Sequence, residues 1–386
     1  MKIMFSAGEV SGDIHGASLA RELKRLAPDA ELIGFGGKNM QESGVRLIKN
    51  FAGFNFMGVV AVVKNLPKIL RLLNELTEAI VNERPDVLVI IDYPDFNWRL
   101  AKRAKKLGVA VFSYIPPSAW AWRKGRAKTC AGIADKLVTI FPFEAKVYEA
   151  AGANVSFLGN PLVDTTVADR SPEETRSFFS VSAKTHIVLL LPGSRRHEID
   201  LLLPTMLAAA REIFVARPDT AFFLPVADNV DEDNIKRKIA EADLPFAVVL
   251  THEARFDLMA AADAAVAASG TVVMEAALLG LPCVVVYKVA SITYFILHRF
   301  IDIKYFSLPN ILLNRPLLTE LLQDDVTPSN ISAAILKLYR GEQTRESVTA
   351  GLKEAAELLG EPHAAARIAA EILRTAREHK HSMEQL

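Results

Sequence analysis

Pro85-Asp86-Val87-Leu88-Val89-Ile90-Ile91-Asp92-Tyr93-Pro94-Asp95-Phe96-Asn97 is the stretch that decides the fold. Val87 to Ile91 is an unbroken, largely β-branched run, as expected of a strand buried on both faces of a parallel sheet. Pro94 cannot continue a central strand, because it lacks the amide that the ladder requires. Leu100, Ala101 and Ala104 then recur at helical spacing. The order is strand, sharp turn, helix, and Asp92 closes the strand at its carboxyl end, where open α/β sheets bind ligands. A carboxylate in that position can serve as general base toward a hydroxyl. A turn or helix-cap role is the other reading of such an acid, and for Asp95 it is the preferred one.

The same alternation extends in both directions. Lys2 to Ser6 reads as a first strand that enters Ala7-Gly8-Glu9-Val10-Ser11-Gly12-Asp13 and then a helix carrying Leu19, Leu23 and Leu26. Such a turn suits a phosphate or sugar approaching backbone amides at a helix start, although a tight turn between strand and helix needs the same glycines. Neither this turn nor Gly34-Phe35-Gly36-Gly37 is G-x-G-x-x-G, and no G-x-x-x-x-G-K-[ST] loop occurs, so a nicotinamide dinucleotide or P-loop site lacks support. Further strands are expected at Glu31–Ile33, Val109–Tyr114, Lys136–Ile140 and Val155–Phe157, with a helix over Leu66–Val81. Between about Thr165 and Lys184 the pattern lapses into polar residues. A second series follows, with strands at Ile187–Leu191, Ala221–Leu224, Ala247–Leu250, Ala264–Ala267 and Cys283–Tyr287, and helices at Ile199–Val215 and Thr271–Leu279. The expected fold is α/β, with two Rossmann-like, doubly wound parallel-sheet domains facing a cleft and a helical C-terminus. Residues 1–165 form the first domain, 166–340 the second, and 341–386 are C-terminal helices packing across the domains or at a dimer interface.

Length and composition agree. At 386 residues the chain exceeds one ordinary core, and 51% hydrophobic with 23% charged residues is the composition of a folded protein. Forty-five basic residues balance forty-five acidic ones, so nothing global attracts nucleic acid, and an anionic ligand must be held by local groups. Cys130 and Cys283 are too few for a disulfide framework or a cysteine zinc site and suit a reducing cytoplasm. The first residues lack the apolar region of a signal peptide. No charge-free stretch reaches the roughly 18 residues of a spanning helix. The chain is expected to be soluble or to rest on a membrane surface.

Three local features carry chemistry. Leu191-Pro192-Gly193-Ser194-Arg195-Arg196 follows the first strand of the second domain, and a small turn with a guanidinium suits a diphosphate. Ala268-Ser269-Gly270-Thr271 opens a helix whose next turn carries Glu275 on the face of Thr271. Ser269, Gly270 and Thr271 thus offer helix-tip amides to a phosphate, and Glu275 offers a carboxylate to a ribose diol. Phe51 to Val63, including Phe54, Phe56, Met57, Val59 and Val62, is charge-free and is followed by Lys64 and Lys68, and Ile292 to Phe306 mixes aromatic with basic residues. Such stretches suit acyl chains or a membrane interface, with core or dimer interface as the alternative. His197-Glu198 and Asp13-x-His15 do not make H-E-x-x-H, so no metal and no cofactor are expected.

At these residues the chain resembles the lipid-A-disaccharide synthases, bacterial glycosyltransferases of the two-Rossmann GT-B kind. The resemblance rests on the turn from Ala7 to Asp13, Ile91 to Asn97, Pro117-Ser118-Ala119-Trp120-Ala121-Trp122-Arg123, Phe141-Pro142-Phe143-Glu144, Leu191 to Arg195, Ser269 through Glu275, and Ser307-Leu308-Pro309-Asn310, in one order over nearly the whole chain. It implies transfer of diacylglucosamine from UDP-2,3-diacylglucosamine to the 6-hydroxyl of 2,3-diacylglucosamine 1-phosphate, with anomeric inversion and release of UDP. It implies a base at Asp92, UDP contacts at Ser11, Arg195, Glu275 and Asn310, a cytoplasmic location peripheral to the inner membrane, and a homodimer in some members. For Ser11 and Asn310 the roles rest on the resemblance alone.

Two positions depart from the family pattern. Ile115-Pro116-Pro117-Ser118 stands where Val-Ser-Pro-Ser is familiar, and Gly159-Asn160-Pro161 where Gly-His-Pro is common. An amide cannot carry a proton near neutral pH, so Asn160 has no catalytic assignment. The rival readings are another GT-B-type UDP-sugar enzyme, such as a UDP-N-acetylglucosamine 2-epimerase or a peptidoglycan glycosyltransferase, and a non-catalytic sugar-binding protein.

Overall fold

The computed structural model describes residues 1–52, 64–119, 125–227, 230–289, 304–339 and 342–384. The chain divides into two compact units, Met1–Pro161 with Glu361–Leu386, and Leu162–Gly360. Each is built on one sheet in which every pairing is parallel.

The first sheet comprises β1 (Lys2–Ala7), β2 (Glu31–Gly36), β3 (Arg46–Asn50), β4 (Val87–Ile91), β5 (Ala110–Tyr114), β6 (Lys136–Thr139) and β7 (Val155–Phe157), in the spatial order 3-2-1-4-5-6-7. β4 shows why an unbroken apolar run is required. Val87, Val89 and Ile91 enter a core on one face of the sheet, while Leu88 and Ile90 enter the core on the other. The helix Leu66–Glu83, through Leu72, Leu73, Leu76 and Ile80, and the helix Pro94–Lys106, through Leu100, Ala101 and Ala104, cover one face. The helix Val10–Leu26 covers the other, together with the last helix, Ala364–Glu384, through Ile368, Ile372 and Leu373.

The second sheet comprises β8 (His186–Leu191), β9 (Thr220–Pro225), β10 (Val248–Thr251), β11 (Ala264–Ala268), β12 (Cys283–Tyr287) and β13 (Thr319–Leu322), in the order 10-9-8-11-12-13. Val188, Leu190, Phe222 and Leu224 pack there against Ile199, Leu203 and Met206 of the helix Arg196–Ala216 and Ile331 and Ile335 of the helix Pro328–Tyr339.

In both sheets the chain runs outward on one side of its first strand and then jumps to the other side. The switch lies between β1 and β4 in the first sheet and between β8 and β11 in the second. A crevice opens at the carboxyl ends of two such strands, because their connections leave in opposite directions.

Two parts of the fold differ from the sequence expectation. The outermost strands β3 and β13 are additional; both are half-exposed, and the charged residues that suit an edge mask their strand pattern. The C-terminal helices, read from sequence as one block over 341–386, are divided between the units. Glu342–Glu357 belongs to the second, and Ala364–Glu384 returns to the first, where Lys136 pairs with Glu371 at 3.0 Å and Arg367 Nε donates to the Leu158 carbonyl at 2.9 Å.

Candidate active site

In the first unit, Asp92 immediately follows β4, and its amide donates to the Tyr114 carbonyl at the end of β5. Asp92 and Tyr93 are consecutive residues in the left-handed region, with φ of 44° and 50°. Each such residue costs about 1 kcal/mol or more when it carries a Cβ. Pro94 then opens the next helix, where its fixed φ is suited. Asp92 is half-buried, and burial raises its carboxyl above the ordinary aspartate range, opposed by a hydrogen bond from the Tyr93 amide. A carboxylate so shifted is a stronger proton acceptor than a solvated one. Asp95, one turn on, is exposed and pairs with Arg126 at 2.8 Å.

The neighbouring strand supplies the other wall. Ala7 of β1 lies beside Ile91, and the turn after it passes so close to Tyr93 that a Cβ on Gly8 would fall 2.3 Å from the ring. Ser11 is exposed in the first turn of the helix that follows. Asp13 is buried and accepts from the amides of Gly37, Asn39 and Met40 at 2.7, 3.0 and 3.1 Å and from the Asn39 side chain at 2.8 Å. It caps the helix Lys38–Glu42 and holds the turn in shape. Burial lowers His15 to about 4, so its imidazole is neutral near pH 7, edge-on to the Tyr114 ring. Asn160 is buried, with its amide donating to the Ile140 carbonyl at 2.8 Å, which gives this departure a structural role.

In the second unit, a cavity of about 360 Å³ lies at the carboxyl ends of β8 and β11 and is lined by Gly193, Arg195, Arg255, Ser269, Thr271 and Glu275, among others. Gly193 has φ of 101°, and a Cβ there would fall 2.4 Å from a Glu198 carboxylate oxygen. Glu198 pairs with Arg195 at 2.8 Å, yet the Arg195 side chain remains 59% exposed and open to an anion. The helix Thr271–Leu278 starts from Gly270, and its first amides have no intrahelical acceptor. Glu275 is only 11% exposed. Burial raises its carboxyl above the usual range, opposed by Arg255, whose Nη2 lies 2.8 Å away.

The structure thus brings Arg195, Ser269, Gly270, Thr271 and Glu275 to one cavity. Asn310 does not line it. Its Nδ2 donates to the Leu318 carbonyl and to Glu320 at 2.9 Å each, and its Oδ1 accepts from the amides of Leu317 and Leu318 at 2.9 and 2.8 Å. Glu320 also accepts from the amides of Phe306 and Ser307, and the Phe306 carbonyl accepts from Ser269 Oγ at 3.2 Å. Asn310 therefore shapes the loop on which Ser269 rests. Arg255 is a member of the cavity that the sequence did not reveal, because it meets Glu275 only through the fold. Phe54, Phe56, Met57, Val59 and Val62 lie outside the described residues, as do Trp120 to Arg123 and the stretch 290–303.

Comparison with known proteins places the fold and the family. The structure of the UDP-GlcNAc 2-epimerase from Neisseria meningitidis superposes with a TM-score of 0.66 over 97% of this chain and 100% of its own, at 12% identity. That of MurG from Acinetobacter baumannii does so with a TM-score of 0.61 over 97% of this chain and 99% of its own, at 15% identity. At such identities the likeness is one of fold, the two-Rossmann GT-B architecture. Sequence is more specific. A lipid-A-disaccharide synthase of Syntrophus aciditrophicus is 41% identical over 95% of this chain and 96% of its own length. The family model described as lipid-A-disaccharide synthetase matches residues 3–372, a span that takes in both switch-point sites and the start of the returning last helix. The chain belongs to the lipid-A-disaccharide synthetase family.

Proposed function

We propose that the chain transfers 2,3-diacylglucosamine from its UDP derivative to the 6-hydroxyl of 2,3-diacylglucosamine 1-phosphate, giving a β-1',6-linked disaccharide 1-phosphate and UDP. Asp92 takes the hydroxyl proton as that oxygen forms a bond to the anomeric carbon. The bond from that carbon to the diphosphate breaks, and UDP leaves with the electron pair. Arg195 and the helix-tip amides at Gly270 and Thr271 meet the growing negative charge, where fixed donors act without reorganisation, whereas the Ser269 amide, expected from sequence to join them, is taken by the Val286 carbonyl at 3.1 Å. Glu275, oriented by Arg255, accepts from the ribose hydroxyls, and a UDP contact for Ser11 rests on the family resemblance alone.

One observation carries this reading: each sheet has reactive groups at its own switch point, a half-buried carboxylate in the first unit and an arginine, a helix tip and a buried glutamate in the second. The test is incubation of the purified protein with both acylated sugars, following UDP and disaccharide phosphate. UDP should appear only when both substrates are present and in step with the disaccharide. Conversion of UDP-N-acetylglucosamine alone would favour the epimerase reading.

The acyl chains call for an apolar approach, and we propose that the enzyme works as a peripheral protein at the cytoplasmic face of the membrane. Among the described residues no helix is long and apolar enough to cross a bilayer. Support comes from the helix Leu66–Glu83, where Leu66 and Leu70, one turn apart, are 44% and 42% exposed and flanked by exposed Lys64, Lys68 and Arg71. Val10 and Ile14 are likewise exposed beside the turn at Gly8. Leu70→Ser is expected to leave melting unchanged and to weaken binding to anionic vesicles roughly fivefold, since half-burying a leucine contributes about 1 kcal/mol. Co-sedimentation and melting on the same samples check this. The same pair of measurements on Phe54→Ser and Val59→Ser tests the apolar stretch before the helix; unfolding of both would assign that stretch to the core.

A further inference from the structure

Asn97 is fully buried on the helix that follows the Asp92 turn, at the same helical spacing as Leu100, Ala101 and Ala104. An uncompensated amide in an apolar face is costly, so its partners state its purpose. Its Nδ2 donates to the Asp92 carbonyl at 2.7 Å and reaches the Ser6 and Ile91 carbonyls at 3.1 and 3.2 Å. Its Oδ1 accepts from Ser6 Oγ at 2.6 Å. One side chain therefore ties together the carboxyl ends of β1 and β4, the two strands that form the switch point, at the residue where the backbone turns left-handed.

From this geometry we infer that Asn97 is a positioning residue for the reaction, which locks Asp92 and Tyr93 in their left-handed conformation and so fixes the place from which the Asp92 carboxylate works. The inference rests on the reading of Asp92 as the base. β4 ends at Ile91, and the Asp92 carbonyl just beyond it accepts from Asn97. Two consecutive non-glycine residues at positive φ persist only when their surroundings over-determine them, and such strain gathers where geometry serves chemistry. Without the amide, Asp92 and Tyr93 are free to relax toward an ordinary turn, and the carboxylate swings away from the acceptor hydroxyl. Misplacement of a reacting group by about 1 Å can cost on the order of a hundredfold in rate.

The experiment compares Asp92→Asn, Asn97→Ala and the double variant, reading kcat, acceptor KM, the pH profile, UDP affinity and melting. For Asn97→Ala, kcat is expected to fall roughly ten- to a hundredfold, with acceptor KM and UDP affinity within about twofold. The acid limb of its pH profile should move down, toward that of a solvated aspartate, because the carboxylate leaves its half-buried position. The double variant should be no slower than Asp92→Asn alone, since a residue that acts only through Asp92 has nothing left to position. An unchanged kcat and acid limb in Asn97→Ala, or losses that multiply in the double variant, would overturn the inference. An active Asp92→Asn would instead overturn the reading of the base. If Asn97→Ala does not fold, Ser6→Ala replaces it, losing only the hydroxyl that orients the amide, with a smaller kcat loss in the same direction expected and an unchanged kcat contradicting the inference.

Discussion

Asp92→Asn is expected to lower turnover by roughly 10²- to 10⁴-fold, the contribution of a well-placed general base, while UDP affinity stays as in the unaltered protein. Asparagine keeps the shape of the side chain and its fit in the left-handed region, which asparagine tolerates better than most residues. Only the proton acceptor is lost. The pH dependence gives a second readout. Because burial raises the Asp92 carboxyl above the ordinary range, kcat/KM should fall as pH drops through a value higher than that of a solvated aspartate. That acid limb should disappear in the variant. Stability should move the other way. The folded state binds this proton more tightly than the unfolded chain, so between the ordinary and the raised pKa stability declines as pH rises. Ionised Asp92 is therefore a net cost near pH 7, and the variant should melt no lower than the parent. A loss of activity without loss of stability is the mark of a residue held for its chemistry.

Arg195→Ala is expected to weaken UDP binding by roughly 10- to 150-fold, the worth of a charged hydrogen bond of about 1.5–3 kcal/mol, and to lower turnover as well. The double effect follows from its place at the end of β8, where it can meet the diphosphate both bound and departing. Glu198, its partner at 2.8 Å, keeps the side chain close to the turn before any anion arrives. Glu275→Ala should weaken UDP without changing affinity for the acylated acceptor, because its carboxylate is assigned to the ribose alone. Calorimetry with UDP and with acceptor measures the two separately. A chelator should leave both affinities unchanged; full loss of activity to a chelator and its return with magnesium would contradict the metal-free donor site.

Much of this is legible in the sequence, and the rest is hidden for physical reasons. β4 is legible to the residue because both its faces are buried, so all five positions must be apolar. The edge strands β3 and β13 are not legible, because an edge admits Arg46 and Lys49 beside solvent and Glu320 beside the amides of Phe306 and Ser307. The last helix reads as polar because only one stripe, Ala364, Ile368, Ala369, Ile372, Leu373 and Ala376, half of it alanine, enters the core. Within the sites, Arg195 and Glu275 were visible as a turn residue and as a carboxylate one helical turn past a glycine. Arg255 was not, since its pairing with Glu275 joins helices 20 residues apart. Asn97 stood in plain sight at helical spacing with Leu100 and Ala104, but only its hydrogen bonds to Ser6 and Asp92 disclose what a buried amide does there.

Displacement of UDP by a hydroxyl that a single base activates requires attack on the face opposite the leaving group. The most direct measurement is therefore the anomeric configuration of the linkage formed from an α-linked UDP donor, by proton coupling constants of the purified product. A β-linked disaccharide 1-phosphate, formed in equal amount with UDP and formed roughly 10²- to 10⁴-fold more slowly with Asp92→Asn, is the expected result. An α-linked product, or UDP released with no disaccharide, would contradict it.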